Sequence, residues 1–485
     1  MKKIFLLFIV LFAFTSINYA QEYEIKLKIN GVRDTVAYLG HHFGAQKYVV
    51  DTAKIDHNGN VVFVGNKKLY RGIYIVVLPS RAMTYFEIIL GNDGYKFSIE
   101  TDTADFVAKM KIKGSNENVV FNEYQKKMSE MGKTITKLNK EYEIANQNKA
   151  DVSEIRQKMV DWQNERETYI QKLINDHPKY FFSTVLKSMI DIKIPDAPKD
   201  EKGEIIDPAF GYHYNKAHFW DNMNFSEVGM LRTPIYESKL DYFISKMIPP
   251  LPDSLIVDCN KIIRKAYDEG DSLMFQYTCS HIFNMFDTSR IMGYDAVMVS
   301  IAEEWYLSGK ATWVDTAFLK KAAERVEKIT PTKIGNIAYN LVRMQSFDDK
   351  YYTLHDIKAD YMVVIFYEPS CGHCKKEIPL LISAYNDTLK AMGVKVFAMY
   401  NQYDKPEWVE FIEKNSMNID GWYNVWDGPR PHTNYRNYYD IYSTPTLFLL
   451  DKDKKIIAKR ISVENIKEFL LQHELRLEYE KGLKK

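Results

Sequence analysis

Tyr361-Met362-Val363-Val364-Ile365-Phe366-Tyr367-Glu368-Pro369-Ser370-Cys371-Gly372-His373-Cys374-Lys375-Lys376-Glu377 joins a continuous apolar run to a pair of cysteines. Seven apolar residues without alternation predict a strand covered on both faces, as in the centre of a parallel sheet. The thiols then fall where that strand turns into a helix, predicted from Cys371 to about Met392. Working outward, Val394 to Tyr400 reads as a second buried strand and Pro406 opens a helix, a position where its missing N–H is harmless. Thr446 to Leu450 is a strand, Asp451 to Lys455 a turn, Ile456 to Arg460 its hairpin partner, and Val463 to about Tyr479 a closing helix. That order describes a compact α/β domain.

Two thiols spaced Cys-x-x-Cys at a helix start can close a small disulfide, and their environments differ. Cys371 is expected at the exposed end, where unpaired backbone N–H groups and the helix dipole favour the thiolate, so it is the candidate nucleophile. Cys374, one turn further in, is the candidate resolving thiol that attacks a mixed disulfide. His373 can lend charge or a hydrogen bond to the thiolate, and Gly372 leaves the approach open. A zinc site would need a second close Cys or His pair, and Cys259 and Cys279 stand 20 residues apart in another region. A structural disulfide closing so short a loop would constrain the unfolded chain little. No metal and no cofactor is therefore expected, and redox exchange is the preferred reading.

Composition limits the rest. A chain of 485 residues is too long for one core and suggests roughly three domains. Lys plus Arg number 65 and Asp plus Glu 64, leaving no field to hold a polyanion, so nucleic acid is not an expected partner. Residues 1–20 combine Lys2 and Lys3, an apolar run from Ile4 to Phe14, and polar Thr15, Ser16 and Asn18 before Ala20. This reads as a secretory signal peptide cut after Ala20, with no integral membrane segment left afterwards. Its apolar run is about half the length of a bilayer-spanning helix, and no Cys near the cut allows lipid attachment. An exported protein normally spends cysteines on staples. The four here fit functional thiols better.

Residues 21–115 read as a β-rich domain, an antiparallel sandwich or small barrel: Tyr23 to Ile29 alternates, Asn30-Gly31 turns, and short strands follow at Val61 to Val64, Ile73 to Leu78 and Tyr85 to Leu90. The neighbours His41 and His42 would face opposite sides of a strand and could not easily share a metal, so they read as a solvated strand end. Residues 116–332 switch to helical period. Val120, Tyr124, Met128, Met131, Ile135, Leu138 and Tyr142 step by four and three, and a second helix from Val152 to about Asn175 is expected to pair with the first as a hairpin. Asp191 to Pro208 is a break. His213 and His218, five residues apart, read as members of an aromatic cluster rather than a metal pair, and Cys259 and Cys279 are compatible with a disulfide or with two buried thiols.

The segment 333–485 resembles the thioredoxin fold, in particular the exported TlpA/ResA-like thiol-disulfide oxidoreductases. The resemblance rests on the buried strand, Cys371-Gly372-His373-Cys374, Lys375-Lys376-Glu377-Ile378-Pro379, and Ser443-Thr444-Pro445-Thr446. It implies a cis Thr444–Pro445 bond forming a substrate-binding wall beside the dithiol, a kink at Pro379, and a proton-transfer role for Glu377 at the resolving thiol. Two departures matter: Ser370 stands where thioredoxins carry Trp, and Ile365 where many carry a buried Asp. Proton handling then falls to Glu377, with Glu368 as a second candidate. Residues 22 to about 115, and the helical stretch through Leu231-Arg232-Thr233-Pro234, Ile291 to Ala296 and Trp313-Val314-Asp315, resemble the domains of unassigned function that precede such thioredoxin domains in exported Bacteroidetes proteins.

The sequence-based expectation is a multidomain periplasmic thiol-disulfide oxidoreductase acting on protein thiols and disulfides of the cell envelope. The resemblance favours a reductase supplied by a DsbD-type membrane reductase. The alternatives are a disulfide isomerase or oxidase, suggested by Gly372-His373, and an envelope binding protein whose thioredoxin domain is a redox-sensitive arm. The helical domain is the candidate surface for a homo-oligomer.

Overall fold

The computed structural model describes residues 22–79, 84–429 and 432–483; the expected signal peptide, residues 1–20, lies outside the described residues. The chain divides into two compact units, one reaching to Met247 and including Lys265–Met274, the other holding Ile248–Arg264 and Phe275–Lys485. The division falls within the helical stretch.

Alternating apolar residues build the first unit. Strands β1 (Tyr23–Asn30), β2 (Val36–Phe43), β3 (Gln46–Lys54), β4 (Asn60–Gly65), β5 (Gly72–Leu78), β6 (Thr84–Leu90), β7 (Lys96–Asp102) and β8 (Lys111–Lys113) form two four-stranded sheets, ordered β4-β1-β7-β8 and β3-β2-β5-β6. Both sheets send side chains into one core, with Ile25, Leu27 and Phe63 meeting Leu39, Val76 and Ile88, which makes a sandwich. The arrangement is not wholly antiparallel: β1 and β7 run parallel, Ile25 opposite Phe97 and Leu27 opposite Ile99. His41 and His42 are not at a solvated strand end. They lie in β2, His41 half-buried between Tyr48 and Tyr74 and His42 buried, because a register irregularity at Leu39/Gly40 carries both toward packed surfaces.

Helices α1 (Asn116–Gln147) and α2 (Ser153–Asp176) pair antiparallel, with Trp162 Nε1 donating to the Met131 carbonyl at 3.0 Å and Lys127 bridging Glu165 at 2.7 Å. Further helices are α3 (Phe181–Ser188), α4 (Phe210–His218) and α5 (Tyr236–Tyr242). His213 and His218 each face a carboxylate of their own, Asp207 at 2.7 Å and Asp221 at 2.6 Å. They share no site.

Helices α6 (Pro252–Glu269) and α7 (Ser272–Asp287) lead into α8 (Asp295–Ile301) and α9 (Thr316–Ile329). Cys259 and Cys279 are buried, unbonded thiols. The sheet that follows has seven strands: β9 (Met344–Ser346), β10 (Tyr351–Tyr352), β11 (Tyr361–Tyr367), β12 (Val394–Tyr400), β13 (Trp422–Trp426), β14 (Thr446–Asp451) and β15 (Ile456–Lys459), in the order β10-β9-β13-β12-β11-β14-β15. Central β11 runs parallel to β12 and antiparallel to β14. Its seven residues are all buried because both faces are covered. Val363, Ile365 and Tyr367 pack under α10 (Cys374–Ala384), α11 (Lys405–Lys414) and α13 (Val463–Leu483), while Met362, Val364 and Phe366 pack against Leu354, Tyr435 and Tyr439, the first of these tyrosines opening α12 (Tyr435–Tyr438). No helix among the described residues is long and apolar enough to cross a membrane.

Candidate active site

The site forms where β11 ends. Glu368 to His373 make a tight connection, closed by the Cys371 N–H donating to the Glu368 carbonyl at 3.1 Å, and α10 begins at Cys374 rather than at Cys371. Pro369 disfavours helical backbone at Glu368, the residue before it, and so helps end the strand there. Cys371 thus sits in the turn ahead of the helix, partly exposed, and Cys374 in its first turn with no exposed surface. After Ala384 the helix widens into a π-turn over Tyr385–Leu389.

The two thiols differ in electrostatics as well as burial. Burial acts to raise the Cys371 pKa, but hydrogen bonds from the Cys374 backbone, the Thr444 and Cys374 side chains and the His373 backbone outweigh it, leaving the thiol below its ordinary value. Burial pushes the Cys374 thiol up to about 12, only partly offset by a hydrogen bond with the Glu368 backbone. The Cys371 thiol donates to the Thr444 carbonyl at 3.1 Å. A thiolate has no proton to give, so ionisation removes that contact and leaves the backbone N–H groups of Cys374 and His373 among the donors to the charged sulfur.

The Thr444–Pro445 bond is cis, and both residues are half-buried on the chain entering β14, against the dithiol through the Thr444 contact. His373 is exposed at the N-cap of α10. Glu377 is half-buried in the first turn, and its carboxylate makes no hydrogen bond or ion pair among the described residues. Pro379 lies inside the helix.

Glu368 is held more firmly. Buried Asn401, at the end of β12, donates from Nδ2 to Glu368 Oε1 at 3.1 Å and accepts from the Tyr435 hydroxyl at 2.8 Å, while its carbonyl accepts from Arg436. No motif marks Asn401, Tyr435 or Arg436 in the sequence, since they come together only when α12 docks. Ile365 leaves no buried acid beneath the dithiol. The same layer is aromatic: Trp408 Nε1 donates to the Tyr367 hydroxyl at 2.8 Å, and Trp408 stacks on Tyr400 with ring centroids 5.4 Å apart. Beside Ser370 opens a cleft of about 930 Å³ lined by Tyr403, Lys405, Pro406, Trp426 and Gln345. The side chain of Ser370, smaller than Trp, leaves it uncovered.

Comparison with known proteins places families on all three regions. Residues 23–121 match a domain of unknown function, DUF4369, residues 136–331 another, DUF5106, and residues 359–456 the model described as thioredoxin-like. No curated protein matches the chain. Among solved structures, a domain of a possible thiol-disulfide isomerase from Cytophaga hutchinsonii is 40% identical, covering 30% of this chain and 96% of that one, TM-score 0.28. A thioredoxin-like protein from Bacteroides caccae is 19% identical over 59% of this chain and 99% of its own, TM-score 0.42. The thioredoxin domain of a thiol-disulfide oxidoreductase from Bacteroides vulgatus is 23% identical over 29% and 96%, TM-score 0.27. With a central strand leading into Cys-x-x-Cys, a cis-proline opposite it and a matching family model over residues 359–456, this part of the chain belongs to the thioredoxin-like family.

Proposed function

We propose that the chain is a periplasmic thiol-disulfide oxidoreductase that reduces disulfides of envelope proteins. The observation that carries this reading is the asymmetry of one Cys-x-x-Cys pair: Cys371 partly exposed with a lowered pKa, Cys374 buried with a raised one. A thiolate attacks and a protected thiol resolves.

The cycle balances as follows. The Cys371 thiolate attacks one sulfur of a client disulfide, forming a mixed disulfide and expelling the other client sulfur as a thiolate. Cys374, once deprotonated, attacks Cys371 Sγ; the Cys371–Cys374 disulfide forms and the second client thiolate leaves. Two electrons have passed to the client, and a donor dithiol, of the DsbD type in this reading, returns them. Thr444 and Pro445 form the wall against which the client chain lies, His373 supports the Cys371 thiolate, and a carboxylate, Glu377 or Glu368, takes the Cys374 proton. The open cleft beside Ser370 favours an extended protein segment as substrate.

Insulin reduction tests the assignment: Cys371→Ser should abolish it, and full activity in that variant would remove the nucleophile. Cys374→Ser expressed in the native periplasm should accumulate mixed disulfides with clients. An empty trap there would favour the binding-protein reading.

A further inference from the structure

We propose that the N-terminal unit binds an organic anion, a carboxylate carried on an apolar or aromatic body, with Arg232 as its charged anchor. The site is a cavity of about 370 Å³ lined by Tyr23, His41, Val50, Lys68, Tyr74 and Arg232, among others. That size lies within the range of small-molecule sites.

Arg232 is the unusual member. It is 6% exposed, and its Nη1 is buried without a hydrogen-bond partner. No carboxylate among the described residues forms an ion pair with it. Its guanidinium lies instead over the Tyr70 ring at 4.2 Å and near the Phe43 ring at 5.7 Å. Buried arginines are normally paired, because removing a full charge from water is costly unless an anion compensates. Aromatic faces return only part of that cost. An anion from outside would supply the missing partner, and the planar fork of a guanidinium matches a carboxylate well.

The anchor is held in place in advance. Val228–Arg232 forms a 3₁₀ turn, and its Leu231 carbonyl accepts from the Gly44 N–H at 2.9 Å at the end of β2. Gly72, the first residue of β5, lets the stem of Arg232 approach so closely that a Cβ there would fall 2.5 Å from Arg232 Cβ. Lys67 and Lys68, both exposed on the rim, add positive charge.

The rest of the wall selects for an apolar body. Tyr74 and Leu69 are buried, Val50 and Tyr70 present exposed apolar surface, and burial together with the nearby Arg232 charge lowers the His41 pKa, which disfavours its charged form. Asp51 stands behind Tyr23, accepting its hydroxyl at 2.8 Å. A singly charged carboxylate meets less repulsion from that acid than a doubly charged phosphate would.

Isothermal titration of the full chain with phenylacetate, phenylacetamide and inorganic phosphate tests the proposal. Phenylacetate should bind saturably at one site, with phenylacetamide and phosphate at least tenfold weaker. Arg232→Met should weaken phenylacetate at least tenfold. Lys67→Gln with Lys68→Gln, both surface changes, should weaken it a few-fold, which keeps the test decisive if Arg232→Met does not fold. A Cys371→Ser, Cys374→Ser variant should bind as the parent does. Absence of saturable phenylacetate binding, phosphate binding more tightly than phenylacetate, or affinity indifferent to both sets of substitutions would overturn the proposal.

Discussion

A sulfur's usefulness in disulfide exchange depends on where its proton goes, and Cys371 and Cys374 answer differently although three residues separate them. Cys371 lies partly exposed among N–H donors; its pKa is displaced downward from the ordinary 9.0 despite the opposing effect of burial. Cys374 is sealed, and burial raises its pKa to about 12. At neutral pH iodoacetamide should therefore modify Cys371 alone. The half-maximal rate should fall below pH 9, with a tenfold loss per pH unit below that point. Mass spectrometry of alkylated peptides at graded pH measures this, and equal labelling of both thiols at pH 7 would contradict it. The resolving step needs a base for Cys374. Glu368 begins at the residue whose backbone already touches that sulfur, and Asn401 fixes its carboxylate at 3.1 Å. Glu368→Gln should slow resolution of a mixed disulfide about tenfold or more and leave Cys371 alkylation unchanged. Glu377→Gln should have the smaller effect, because no contact orients its side chain. Stopped-flow decay of a mixed disulfide with a chromogenic thiol separates the two.

Elements are held by a few polar clamps that act at their ends. The N-terminus of α1 is tied to the turn between β6 and β7: Asp93 accepts from the Glu117 N–H at 2.8 Å, and Ser115 caps Asn118 at 3.1 Å. Glu117, fully buried, accepts from the N–H groups of Asn92 and Phe182, each at 2.8 Å. Glu117→Ala leaves both donors without partners and should cost about 2–4 kcal/mol. Glu117→Gln, which keeps an acceptor, should cost less, as read from the denaturation midpoint. Gly91→Ala should damage the same clamp, since a Cβ there would fall 1.9 Å from Glu117 Oε2. Apart from the local Ser115 cap, this clamp is not visible in sequence, because its other partners lie 24 to 65 residues apart. Local pattern reveals β11, by its unbroken apolar run, and the α1–α2 hairpin, by its helical period. It does not reveal β13, whose apolar run is broken by Asn424, a residue satisfied in the folded chain by Trp422 Nε1 at 3.0 Å and the Met417 carbonyl at 2.9 Å. Nor does it reveal β9 and β10, too short to show a period, or the parallel β1–β7 pairing, which depends on packing rather than on either strand's own text. The two cysteines and Thr444-Pro445 were legible because their chemistry is carried by residue type and spacing. The Asn401 to Glu368 brace was not, because it is made by docking.

At the scale of the whole chain, the second compact unit joins helical text to the thioredoxin-like sheet through one buried cation. Lys459, on edge strand β15, has 6% of its side chain exposed and reaches Asp295 Oδ2, at the start of α8, at 2.6 Å, with Thr332 Oγ1 at 3.3 Å. The Lys459 backbone N–H also meets Met292 Sδ at 3.2 Å. The strand that closes the sheet is thus pinned by residues more than 120 positions earlier, so this helical segment and the sheet should unfold together. Removing one charge leaves the other poorly solvated. Lys459→Met should destabilise the unit by about 2–3 kcal/mol, moderated by the partial exposure of Asp295. Lys459→Met combined with Asp295→Asn should recover part of that loss, because an unpaired ion costs more than a missing pair. Urea denaturation monitored by tryptophan fluorescence, with a double-mutant cycle on the midpoints, measures the coupling. Additive effects would mean that sheet and helices are held by their apolar contacts and not by this ion pair.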